Sequence, residues 1–162
     1  MKSLLIGCSC LAIVTGALAC DEGQSCTLAG CGTTFELAIR VADGGALPDL
    51  AYEITLGLDG EIYTVECERR PEGIECPLVD GPATYALEAN FSSDGTAIAM
   101  SIVSAGGEGE GPELIDVDVV ADDISLVDTI VAPEYEDVFP NGEACGPHCR
   151  HADTIAVTFA RS

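Results

Sequence analysis

The chain predicts a single antiparallel β-sandwich of about seven to nine strands, with loops closed by local disulfides. Three observations carry that expectation. Apolar and polar residues alternate with period two through many short segments, and clusters of Gly, Pro, Asp and Ser separate them. Beyond residue 20 no segment shows a helical period, and the cysteines recur in close pairs. Strands of this kind must bury one face each, and packing two sheets face to face is the simplest way to do so.

The front end sets the compartment. Lys2, the apolar run from Leu4 to Val14 and the small residues Ala17-Leu18-Ala19 have the physical parts of a secretory signal peptide over 1–19. That run falls short of the roughly 20 residues needed to span a bilayer. Gly16-Ala17-Leu18-Ala19-Cys20 resembles a bacterial lipobox, with Ala17 at the position most often held by leucine. The resemblance implies that Cys20 is acylated and becomes the mature N-terminus, whereas ordinary cleavage after Ala19 would leave the same first residue bare.

Cysteine parity bears on that choice. Of the nine cysteines, Cys8 and Cys10 leave with the leader, and an acylated Cys20 leaves an even set: Cys26, Cys31, Cys67, Cys76, Cys145 and Cys149. An exported chain favours their oxidation, with local links Cys26–Cys31, Cys67–Cys76 and Cys145–Cys149. Residues 20–32 then read as a lipid anchor and a short cysteine-clipped tether, and 33–162 as one β domain.

Phe35, Leu37, Ile39 and Val41 alternate with polar neighbours and predict a first strand over 33–41, ended by Asp43-Gly44-Gly45. A second follows over 51–58 with Ile54, Leu56 and Leu58 on one face. Asp59-Gly60 predicts a tight hairpin into 61–68, because glycine tolerates the positive φ that such a turn requires. That strand shows Tyr63, Val65 and Cys67 on one face, and a Cys67–Cys76 link would tie it to another short strand over 74–79.

After Asp80-Gly81-Pro82, residues 83–91 align Tyr85, Leu87, Ala89 and Phe91, and Ser92-Ser93-Asp94-Gly95 turns the chain. Residues 96–103 are apolar on both faces, which suits an interior strand or a short helix, and the strand is the favoured reading. The glycine-rich 104–112 is a loop. Ile115, Val117 and Val119 point inward from 113–121, opposite Asp116 and Asp118, and Asp122-Asp123 turns into 124–131, where Ile124, Leu126 and Ile130 share a face. Residues 133–140 predict an edge strand or irregular crossing, 141–150 a loop, and Ile155, Val157 and Phe159 a final strand.

Charge narrows the partners. The chain carries 28 acidic against 6 basic residues, a formal net charge of −22, and loss of Lys2 would leave it lysine-free. Nucleic acid and anionic lipid headgroups would be repelled over most of its surface. The lipobox resemblance implies that a bilayer is engaged through acylated Cys20.

Few motifs suggest chemistry. Cys145, His148, Cys149 and His151 are zinc-type ligands, but packed this closely in an exported chain they read as a disulfide beside solvent-facing histidines. Asp116, Asp118, Asp122 and Asp123, with Asp128, Glu108, Glu110 and Glu113 nearby, could supply oxygens to Ca2+, although no EF-hand loop is present. No nucleophile elbow or phosphate-binding glycine loop occurs, and no catalytic residue is singled out. Without Trp, or cysteines spaced to bridge two sheets, the antibody-type pattern is not met.

The first strand, Asp43-Gly44-Gly45 with Pro48, and Gly81-Pro82-Ala83-Thr84-Tyr85-Ala86-Leu87 resemble carboxypeptidase-regulatory-like or transthyretin-like modules. The stretch from Tyr135 to Arg150 is similar to segments of exported proteins of predatory, high-GC bacteria such as the myxobacteria. These resemblances imply an immunoglobulin-like or transthyretin-like sandwich with a structural or binding role. The expectation is a non-catalytic lipoprotein domain that binds a protein or glycan, lipid-anchored in the cell envelope at the outer membrane, or else periplasmic or extracellular. A calcium-dependent adhesion or matrix-type module and a secreted hydrolase are the alternatives.

Overall fold

The computed structural model describes residues 32–70, 73–104, 111–139 and 149–161. They are all-β, with no helix among the described residues and twelve strands: β1 Thr34–Val41, β2 Tyr52–Leu58, β3 Glu61–Arg70, β4 Gly73–Glu75, β5 Leu78–Asp80, β6 Tyr85–Phe91, β7 Ala97–Ser104, β8 Ile115–Ala121, β9 Ile124–Val131, β10 Tyr135–Val138, β11 Cys149–Ala152 and β12 Ile155–Phe159. They form two six-stranded sheets. The first runs β10-β11-β1-β7-β6 with β12 also paired to β1, and the second runs β4-β3-β2-β8-β9 with β5 also paired to β3.

Period-two burial builds the core. Phe35, Leu37, Ile39, Ile98, Met100 and Ile102 from the first sheet share one apolar cluster with Ile54, Leu56, Leu58, Tyr63, Val117 and Val119 from the second. A fully buried aliphatic side chain of this kind contributes about 1.5–3 kcal/mol. Two edge-to-face aromatic pairs join the cluster, Tyr52 with Phe91 and Tyr63 with Tyr85, their centroids 6.2 and 6.0 Å apart. Each pair again takes one ring from either sheet. A Cβ on Gly81 would stand 2.5 Å from Tyr63 Cδ1, so only glycine lets the backbone pass this ring.

The turns follow their residues. Asp59 and Gly60 take φ of 51° and 82°, and Asp122 and Asp123 take 48° and 64°, both turns being two residues long between antiparallel strands. The turn after β6 is closed by side chains. Asp94 Oδ1 accepts from Ser92 Oγ, Thr96 Oγ1 and Thr96 N, and these bonds hold the carboxyl near 2.

Several expectations need correction. The first sheet is not purely antiparallel, because β1 pairs antiparallel with β7 but parallel with both β11 and β12. The end of the chain runs back along the remaining side of β1 in the same direction, so β1 is paired on both sides. Residues 74–79 are two strands rather than one, interrupted at Cys76-Pro77, where Pro77 offers only its carbonyl, to Glu66 N at 3.2 Å. Residues 149 and 150, expected in a loop, begin β11, and 135–138 form the edge strand β10 of the first sheet.

The largest correction concerns β9. Its register against β8 shifts between Val119 and Val120, which reverses the parity of the strand beyond that point. Val127 is therefore buried, and Ile130, expected to share a face with Leu126, stands 64% exposed.

Cys67 and Cys76 form a disulfide, as their spacing suggested. Cys149 is disulfide-bonded as well. Cys20, Cys26, Cys31 and Cys145 lie outside the described residues, as do the leader and the tether.

Candidate partner-binding face

The outward positions of the second sheet form three rows across its strands. Residues Ile62, Gly57, Asp116 and Ile130 are register neighbours in the first row, on β3, β2, β8 and β9 in turn. Asp80, Thr64, Thr55, Asp118 and Asp128 make the second row, and Glu66, Glu53, Val120 and Ser125 the third. Pleating fixes this arrangement, since the residues that alternate with these along each strand point into the core.

The first row has exposed isoleucines at its two ends, with Gly57 and Asp116 between them. Ile62 and Ile130 are 59% and 64% exposed, and Leu114, just before β8, is 59% exposed. Gly57 lies between them with no side chain, and a Cβ there would stand 3.0 Å from Asp116 Cβ. A groove of about 500 Å³ results, lined by Gly57, Ile62, Leu114 and Ile130 and rimmed by Asp59, Glu113 and Asp116. Glycine inside a strand often marks a place where another molecule approaches closely.

The other two rows are acidic. Asp118 and Asp128 are direct register partners on β8 and β9, an arrangement in which like charges repel. At the far end Glu53, Glu66, Glu68, Asp122 and Asp123 border a smaller hollow of about 340 Å³. No basic side chain stands in the three rows among the described residues. Arg69 and Arg70 end β3 of the second sheet, beyond the three rows and paired with β4, while Arg40, Arg150 and Arg161 belong to β1, β11 and the segment after β12, in or beside the first sheet.

Neither a protein family, nor a curated protein, nor a solved structure matches this chain.

The residues considered for metal ligation are spread along the fold. Asp116 and Asp118 point outward from β8, whereas Asp122 and Asp123 lie in the turn past its end. At about 3.4 Å per residue, that places Asp122 roughly 20 Å from Asp116. Glu113 lines the apolar groove, and Glu108 and Glu110 lie outside the described residues. Among the described residues, no three His, Cys, Asp or Glu side chains are grouped to hold a metal ion.

His151 sits on β11, opposite Glu136 of β10, with its Nδ1 3.0 Å from Thr34 Oγ1. It lines a cleft of about 480 Å³ with Glu134, Glu136, Tyr135 and Asp153. His148 lies outside the described residues. Arg150 stacks over the Tyr135 ring at 4.7 Å, and Tyr135 Oη donates to Pro112 O at 3.2 Å. Burial pushes the Tyr135 hydroxyl up to about 12 against the opposing Arg150 charge.

The hollow row escaped the sequence reading for a definite reason. Ile62 falls out of phase with Tyr63 and Val65, which marks it as outward, but its neighbours across the sheet are 5 to 68 residues away in sequence. The signal that could have found it is Gly57, a vacancy at an outward position of an otherwise regular strand.

Proposed function

We propose that this chain is an exported, non-catalytic cell-envelope lipoprotein whose β domain binds a protein or a glycan through the outer face of its second sheet. The observation that carries the reading is the hollow row Ile62–Gly57–Asp116–Ile130, since exposed aliphatic clusters on a folded domain mark interaction sites. The two sheets are read as packed face to face in an immunoglobulin-like or transthyretin-like sandwich. A core shared by both sheets and the hydrogen bond from Tyr85 on β6 to Asp59 at the β2–β3 turn support that packing. Anchoring rests on the lipobox-like stretch ending at Cys20 and on the even number of remaining cysteines.

Two measurements test this. A photo-crosslinking amino acid at position 130 should give a discrete adduct on cells expressing the protein, while one at Glu88, on the outer side of β6, should give none. Equal labelling at both positions, or none at either, would refute the assignment of the face. Intact mass of the mature protein should show an acyl increment on Cys20 together with loss of six hydrogens. A bare Cys20 would remove the anchor from the proposal.

A further inference from the structure

The rows of the second sheet differ in character in a way that specifies what they meet, given that this face is the binding surface. The groove takes an apolar side chain, because Ile62, Leu114 and Ile130 wall it, and the Asp116 side chain beside Gly57 puts a carboxylate at its floor. Alongside, the next row sets Asp80, Asp118 and Asp128 facing solvent, with Asp118 directly opposed to Asp128. A cation between those two carboxylates relieves their repulsion. The two rows are offset by two residues along every strand, about 7 Å, so the hollow row and the acidic row are both within reach of one extended polypeptide lying on the sheet.

We propose that this face docks a cationic segment of another protein, one that places a branched aliphatic or aromatic side chain over Gly57 and lysine or arginine side chains against Asp116, Asp118 and Asp128. Charge complementarity selects this occupant. A second copy of the chain brings a formal charge of −22 to a face that is itself acidic, and mutual repulsion opposes that contact. A glycan lacks its usual platform, since the residues lining the groove include no aromatic ring on which a sugar could stack.

The test uses the mature domain in buffer containing EDTA, titrated by fluorescence anisotropy with a short synthetic peptide alternating lysine and leucine. Its glutamate-for-lysine counterpart and chitin oligosaccharides serve as the other probes. The lysine peptide alone should bind. Ile62→Ser with Ile130→Ser should weaken it about ten-fold or more, as truncation of two anchors does. Asp118→Asn with Asp128→Asn should weaken it to a similar extent, and Glu88→Gln should leave it unchanged. Urea denaturation of each variant confirms that it folds.

Failure of the lysine peptide to bind overturns the proposal, as does equal weakening by Glu88→Gln, which would mean diffuse charge attraction. Oligosaccharide binding that is lost in the isoleucine variants overturns the cationic partner while leaving the face itself assigned. Sedimentation showing a dimer that Ile130→Ser dissociates would replace the foreign segment with a second copy. If no probe binds and crosslinking at position 130 is also absent, both the partner and the face are refuted.

Discussion

Tyr85 shows how a single side chain can join the two sheets. It lies on β6 of the first sheet, is 6% exposed, and donates its hydroxyl to Asp59 Oδ2 at 2.5 Å, in the turn between β2 and β3 of the second. Burial and then the Asp59 carboxylate raise the pKa of the phenol above its ordinary 10.0, and Tyr63 is raised by burial and by Glu61. The folded state therefore keeps these protons where an unfolded chain would begin to release them. Their contribution is complete below pH 10 and declines as pH rises above it. Tyr85→Phe should cost about 1.5–3 kcal/mol by urea denaturation at pH 7, as loss of a bond to a carboxylate does. The variant should also lose stability less steeply between pH 10 and 11 than the parent.

At the scale of elements, the β3–β5 connection and β9 are governed by local chemistry in different ways. β5 pairs with β3 only at Thr64 and Val65, across a register shift, and the Cys67–Cys76 disulfide closes the intervening chain. A ring of this length restricts the unfolded chain by about 2–3 kcal/mol in the loop-entropy model. Cys67→Ser with Cys76→Ser should destabilise the domain by that amount and raise hydrogen exchange at β4 and β5 before the remainder of the second sheet. Uniform exchange throughout both sheets would show that the link supports the whole fold rather than this corner. The spacing of the two cysteines was enough to anticipate the ring. By contrast, the exposure of Ile130 was beyond reach of the alternation in 124–131, because a bulge partway along a strand pair exchanges its faces and leaves no mark in the residues it displaces.

For the whole molecule the dominant quantity is charge. A net −22 over 162 residues is self-repulsive in the compact state, and the acidic rows of the second sheet concentrate part of it. Salt screens such repulsion over about 10 Å at 0.1 M and 3 Å at 1 M. The melting temperature should therefore rise by several degrees between 0.02 and 0.5 M NaCl, an increase of about 1 kcal/mol for a domain of this size. A flat response would mean that the carboxylates are too dispersed to oppose folding.

By itself the sequence determined the all-β class, the position of most strands, the two tight aspartate turns and the Cys67–Cys76 ring. Each of these depends on side chains within a few residues of one another, where period-two alternation and turn preference act directly. Only the tertiary structure decided that the chain end lies parallel to β1, that β9 changes face, and that Ile62, Gly57, Asp116 and Ile130 form one hollow row. Strand direction, register and exposure are properties of pairs of strands, and those pairs bring together residues that a single strand cannot specify.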